Sequence, residues 1–222
     1  MLKLEGITKA YGKDLILDNV SLNVGSEIKA LIGLNGCGKS TLLKIVAGTI
    51  RLDSGQIFFG DEELTNLPPE GRNIGYVPQR PALFSNLTVE GNIRYGMRNG
   101  RGSEEWFRTL VELLDLQHVL DKRPRELSGG YQNRTSLARS LAPNPRTILL
   151  DEPLTGMDIA LKEKMLPEFK RALQTAGVPV LFVTHDPHEA ELIADSFAVM
   201  TKHQIRSVNS AQEAFELMRE EQ

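Results

Sequence analysis

The residues with the most chemical potential in this chain are eight in a row: Gly33, Leu34, Asn35, Gly36, Cys37, Gly38, Lys39 and Ser40. They satisfy the pattern G-x-x-x-x-G-K-[ST]. Glycines in such a loop let backbone N–H groups turn inward around phosphate oxygens, and a helix starting near Lys39 adds the positive end of its dipole. The Lys39 ammonium is then placed for β- and γ-phosphates and the Ser40 hydroxyl for Mg²⁺, with Thr41 next on the helix. A Gly-rich turn between a strand and a helix has a similar outline. A chance match to the whole pattern is on the order of one in a hundred at ordinary residue usage. The loop therefore predicts a nucleotide site.

A second concentration of chemistry lies at Thr147-Ile148-Leu149-Leu150-Asp151-Glu152, an apolar strand ending in two carboxylates. A buried strand tolerates acids only at its exit, where metal or water meets them. Asp151 is placed to hold Mg²⁺ through its water shell, and Glu152 to orient or deprotonate an attacking water. An acidic cap on the following helix is the other reading of Asp-Glu-Pro; the phosphate loop upstream favours the catalytic one. Between the two motifs, Leu127-Ser128-Gly129-Gly130-Tyr131-Gln132 opens a helix. Alone it reads as a capped helix start that can also bind an anion.

The elements that must position these residues alternate between strands and helices. Strand signals occupy 2–8, 20–24 and 28–32, broken by Gly25 and Gly33. A helix is predicted over 39–47, with Leu42, Leu43 and Val46 on one face and Gly48 as its stop. Strands follow at 56–59 and 73–77. The stretch 89–141 reads as mainly helical, with Trp106, Leu110, Leu113 and Leu114 at helical spacing, as are Leu137 and Leu141. Strands at 147–150 and 179–184 then flank a helix over 159–176, and a last helix spans 210–221. Strands alternating with helices of this length imply a parallel sheet covered on both faces, with the helical middle inserted into it.

Composition narrows the class. The 222 residues carry 26 Lys+Arg against 29 Asp+Glu, a net charge of −3, with no basic run, which argues against a nucleic-acid partner. No apolar stretch approaches the roughly 18 residues of a membrane span, and Met1-Leu2-Lys3-Leu4-Glu5 lacks a signal-peptide core. The single cysteine, Cys37, cannot form an internal disulfide and suits a reducing cytoplasm. At a helix N-terminus its thiol is expected to have a lowered pKa and raised reactivity.

The order of the features resembles the nucleotide-binding subunit of ABC transporters. It runs from the phosphate loop through Gln79 after a strand, Leu127-Ser128-Gly129-Gly130 and the acidic strand, to a strand ending in His185. The likeness covers residues 2 to about 207. It implies an α/β fold: a P-loop NTPase core with a mainly parallel sheet, an N-terminal antiparallel β subdomain and an inserted helical subdomain. The expected division is a single ABC-type ATPase domain over 1–222, with core 1–84 and 145–222, helical subdomain about 85–144, and no C-terminal regulatory domain.

Roles follow at the matching positions. Tyr11 looks like the aromatic that stacks on adenine, Gln79 like the residue touching Mg²⁺ and the attacking water, and His185 like the γ-phosphate switch. Ser128, Gly129 and Gly130 look like the γ-phosphate contacts, and Asp158 like the link between one site and its dimer mate. His118, His188 and His203 match nothing and read as surface residues. Two departures stand out: Tyr131 and Asn133 where the family usually has Gln, which should alter helix packing rather than binding.

The resemblance implies ATP and Mg²⁺ as ligands and a head-to-tail homodimer with each ATP sandwiched between chains. Membrane permease subunits, and indirectly a substrate-binding protein, would be the partners, and the chain would sit peripherally on the cytoplasmic face of the membrane. Arg80-Pro81-Ala82-Leu83-Phe84 is either the patch that passes motion to the permease or plain core packing. The segments 67–79, 82–84 and 87–89 are similar to importers of molybdate and tungstate, with sulfate, thiamine, polyamine and iron systems sharing parts of the pattern. A soluble ABC-type ATPase acting on DNA or ribosomes is the rival class; the short segment between Gln79 and Leu127, without heptads or zinc ligands, counts against it.

Overall fold

The computed structural model describes residues 1–201 and 203–220, apart from the side chain of Asn99. Its centre is a six-stranded sheet in the order β10-β9-β3-β8-β7-β6. These strands are β3 (Ile28–Gly33), β6 (Ile74–Val77), β7 (Thr147–Asp151), β8 (Val180–Thr184), β9 (Ser196–Thr201) and β10 (Gln204–Val208). All neighbouring pairs are parallel except the β9–β10 hairpin at one edge. Both faces are covered, so β7 and β8 are buried along their whole length. This is why they read as continuous apolar runs and not as alternating ones.

A second, antiparallel sheet in the order β2-β1-β4-β5 contains β1 (Leu2–Tyr11), β2 (Asp14–Val24), β4 (Ser54–Phe59) and the short β5 (Glu62–Glu63). The helix α1 (Lys39–Val46) packs between the sheets. Its Leu42, Leu43, Ile45 and Val46 share one apolar cluster with Leu4, Ile7 and Leu17 on one side and Leu31, Leu149 and Leu181 on the other. Each such buried side chain contributes roughly 1.5–3 kcal/mol. At the far end of α1, Gly48 takes φ +82 as the stop. There the Arg72 guanidinium, 4% exposed, donates to the carbonyls of Ile45 and Val46 and to those of Thr65 and Leu67. The Ile45 and Val46 carbonyls lie in the last turn of α1, where the helix supplies no donor four residues on.

The opposite face of the large sheet is covered by α6 (Ile159–Ala176), α7 (Pro187–Ile193) and α8 (Ala211–Arg219), together with helices from the stretch between β6 and β7. That stretch holds α3 (Val89–Tyr95), α4 (Glu104–Leu113) and α5 (Gly129–Leu141) and no strand, as its periodicity implies. A short α2 (Pro69–Arg72) precedes β6. The expected last helix, 210–221, is α8, which runs Ala211–Arg219 with Ser210 as its cap; residue 221 lies outside the described residues.

The largest boundary differences from the sequence expectation lie in the first hairpin. β1 continues to Tyr11 and β2 starts at Asp14, forming a hairpin round Gly12 at φ +63. Register shifts between Leu4 and Ala10, with Gly6 and Asn19 both at positive φ, interrupt the inside–outside alternation. A strand pattern broken by bulges reads as a shorter strand. β9, β10 and α7 were also not anticipated, because 187–208 mixes short apolar runs with charges and shows no clean period.

Candidate active site

The phosphate loop joins β3 to α1. Gly36 and Gly38 take φ +83 and +110, and Gly38 is the residue before the helix. A Cβ on Gly38 would lie 3.0 Å from the Ile16 carbonyl of β2, so both backbone angle and space demand glycine there. No side chain caps α1, which leaves its first N–H groups directed into the loop. The Lys39 ammonium, 4% exposed, donates to the carbonyls of Gly33 and Leu34 at 2.8 Å each. It also lies 3.6 Å from Glu152 Oε1.

Parallel pairing brings the remaining groups to the same edge, since β3, β7 and β8 all end there. Around the loop a cleft of about 500 Å³ is lined by Asn35, Gly36, Gly38, Lys39, Ser40 and Thr41, and by Ile16, Gln79, Glu152, Thr155 and His185. This is a normal size for a small-molecule site. Glu152 is its focus. Its backbone sits at φ +46, a strained value for a non-glycine, held by an N–H bond to the Val183 carbonyl. Its Oε2 accepts from Thr155 Oγ1 at 3.1 Å, from Gln79 Nε2 at 3.4 Å and meets His185 Nδ1 at 3.0 Å. Capping is not its role here; the cation, the amide and the imidazole all converge on one carboxylate.

Asp151 is used differently. Its Oδ1 accepts from Ser40 Oγ and its Oδ2 from the Tyr76 hydroxyl, both at 2.8 Å. Burial, reinforced by the Asp151 charge, pushes the Tyr76 phenol well above its ordinary range, so it remains a donor. No cluster of three or more His, Cys, Asp and Glu side chains that could enclose a metal occurs among the described residues. The donor set Ser40 Oγ and Asp151 Oδ1 nevertheless suits Mg²⁺, which takes one or two protein oxygens and fills its shell with water and phosphate. Gln79, lining the same cleft, can join through its amide oxygen.

His185 is steadied from behind. Thr184 Oγ1 donates to Glu189 Oε2 at 2.8 Å and accepts from the Asp186 N–H at 3.0 Å, while Lys162 of α6 pairs with Glu189 at 2.6 Å. Thr155, Tyr76, Lys162 and Glu189 were not singled out from sequence. Tyr76 did have a usable signal: it pairs with Leu149 across the β6–β7 ladder, which puts it on the sheet face of Asp151, two residues on.

Other expected residues lie elsewhere in this chain. Tyr11 is 49% exposed at the β1–β2 hairpin and does not line the cleft; Lys9 Nζ lies 5.4 Å from its ring centre. Ser128 and Gly129 stand exposed at the start of α5, and the Ser128 side chain makes no capping bond. Gly130 is buried against Leu161 and Met165 of α6. Asp158 caps α6, accepting from the Leu161 N–H at 2.9 Å.

The expectation of an activated Cys37 is overturned. Burial pushes its thiol pKa up, outweighing the pull of Lys39 and the loop amides. The helix-end argument held the right attractions but not the loss of water. The two residues that depart from the family pattern each make a contact within the chain. Asn133 donates to the Pro153 carbonyl at 2.6 Å, and the Tyr131 hydroxyl meets Nε2 of the exposed His118 at 2.9 Å.

Comparison with known proteins agrees with this geometry. The ABC transporter family model matches residues 17–155. A molybdate/tungstate import ATP-binding protein of Methanocaldococcus jannaschii is 41% identical over 203 residues, 90% of this chain and 67% of that one. A Fe(3+) ions import ATP-binding protein of Fusobacterium nucleatum is 35% identical over 220 residues, 97% of this chain and 59% of that one. A spermidine/putrescine import ATP-binding protein of Haemophilus influenzae is 34% identical, with the same two shares. The chain thus spans about three fifths to two thirds of the curated relatives named here. Among solved structures, the nucleotide-free ATP-binding cassette of an ABC transporter is similar with a TM-score of 0.83 and 27% identity, over 99% of this chain and 95% of that one. The chain belongs to the ABC transporter family.

Proposed function

We propose that this chain is the ATP-hydrolysing subunit of an ABC importer, working as a homodimer on the cytoplasmic face of the membrane beneath separate permease subunits. The observation that carries the reading is the convergence of Lys39, Gln79, Thr155 and His185 on Glu152 beside the phosphate loop. Lys39 would exchange the Gly33 and Leu34 carbonyls for phosphate oxygens, which are stronger, charged acceptors. Mg²⁺, held through Ser40 and Asp151, would supply charge neutralisation along the phosphates. Glu152 would orient the attacking water and take its proton, with His185 and Gln79 keeping the carboxylate turned into the cleft. No helix among the described residues is long and apolar enough to cross a membrane, which fits a peripheral subunit.

The dimer is supported by what the single chain leaves outside the cleft: Ser128 and Gly129 offer an exposed helix end suited to the γ-phosphate of a second copy. We take the core as 1–84 with 145–222, and the helical subdomain as 85–144. Replacing Glu152 by Gln should cut hydrolysis by about a hundredfold or more while ATP still drives dimerisation. Turnover near the native rate would overturn the assignment.

For cargo, an oxyanion such as molybdate or tungstate is favoured by the higher identity to the molybdate/tungstate relatives, 41% against 35% for the iron relative and 34% to 37% for the polyamine ones. Molybdate uptake by vesicles carrying this chain and its permease tests it. Uptake of ferric iron or spermidine in its place would overturn it.

A further inference from the structure

We propose that Tyr76 is a positioning residue for Mg²⁺: its hydroxyl holds the Asp151 carboxylate in the one orientation that leaves Oδ1 facing Ser40. This rests on the reading of the cleft as an Mg²⁺–ATP site. Asp151 closes β7 and is 4% exposed, so water does little to orient it. Its side-chain torsion next to the carboxylate is broad and roughly two-fold, which sets no preference by itself. Orientation must come from partners, and two lie among the described residues: Ser40 Oγ on Oδ1 and the Tyr76 hydroxyl on Oδ2, each at 2.8 Å.

The two partners differ in what they can keep doing. Once Ser40 gives an oxygen lone pair to a cation, the direction of its hydroxyl proton is tied to where that cation sits. The Tyr76 bond need not change, because its oxygen lies on the other carboxylate oxygen. Tyr76 is itself well anchored. Its ring packs in the cluster that contains α1, and its carbonyl accepts from Ser140 Oγ of α5 at 3.1 Å. A rigid phenol on a paired strand is a more precise support than a flexible side chain on a loop.

The test compares ATP affinity in Mg²⁺ with ATP affinity in EDTA, for the full chain and for Tyr76→Phe. The ratio of the two dissociation constants reports the cation's share of binding. Tyr76→Phe should lower that ratio by about tenfold, the scale of one hydrogen bond to a charged group, and leave affinity in EDTA within about twofold. In an Asp151→Asn background the same change should move the ratio less than about twofold, as expected when two residues act through one contact. If the Phe variant melts too early for binding work, Tyr76→Met removes the same hydroxyl and takes its place.

A wild-type ratio that stays high in Tyr76→Phe overturns this proposal alone. An equal loss of affinity in Mg²⁺ and in EDTA also overturns it, because that is the mark of a merely structural residue. A wild-type chain that binds ATP no better with Mg²⁺ overturns the Mg²⁺–ATP reading together with it.

Discussion

Two helix N-termini in this molecule are rich in glycine and poor in side-chain caps: α1 at the phosphate loop and α5 at Ser128. They are built in opposite ways. The start of α1 is sunk between two sheets, and every charged group beside it already has partners within the chain: Lys39 on two carbonyls and Glu152, Ser40 and Tyr76 on Asp151. The start of α5 stands in solvent, with Ser128 and Gly129 exposed and only Gly130 packed, against α6. A buried, cross-linked site is organised before its ligand arrives. An exposed helix end keeps its N–H groups free for something outside the chain.

The sharpest way to break this contrast is Lys39→Ala. It removes the one lysine or arginine among the described residues that line the cleft and should weaken ATP binding by at least about a hundredfold, near 3 kcal/mol, read by a fluorescent ATP analogue. Loss of less than tenfold would mean that the loop amides alone carry the affinity. At the other helix, Ser128→Arg should leave ATP binding by the isolated chain within about twofold yet cut hydrolysis by about fiftyfold. A matched fall in binding would show that α5 serves its own chain's cleft.

Smaller effects sharpen the same comparison. Alkylation of Cys37 should be about tenfold slower than that of a free thiol at neutral pH, because burial raises its pKa. Its rate should therefore rise at higher pH than for an exposed cysteine, and ATP should slow it further. A rate equal to that of a small thiol, unaffected by ATP, would place Cys37 outside the closed region. Asp158→Ala should cost about 1 kcal/mol of stability as a lost cap, measured by urea unfolding. If hydrolysis falls more than stability explains, Asp158 also reaches the partner's site, as the family resemblance implies.

Much of this was legible in residue order. The phosphate loop was readable because its glycines, lysine and serine are adjacent, and a contiguous motif carries its own geometry. Asp151 and Glu152 were readable as acids at the exit of an apolar strand. The hairpin around Gly12 was not, because bulges near Gly6 and Asn19 break the alternation that marks a strand. Nor was the partnership of Lys162 with Glu189, since 27 positions separate them and neither lies in a motif. Cys37 misled for a different reason: sequence shows nearby charge but not burial, and here burial has the larger effect.

The amino-acid sequence by itself determined which groups this protein has for phosphate and water chemistry, and that a parallel α/β sheet would present them at strand ends. Only the tertiary structure decided how they are shared. Glu152 receives Lys39, Gln79, Thr155 and His185, Asp151 receives Ser40 and Tyr76, and Ser128 remains outside. The reason is that hydrogen bonds depend on angstroms between residues far apart in the chain, 111 positions for Ser40 and Asp151, and such distances are set by strand register and packing.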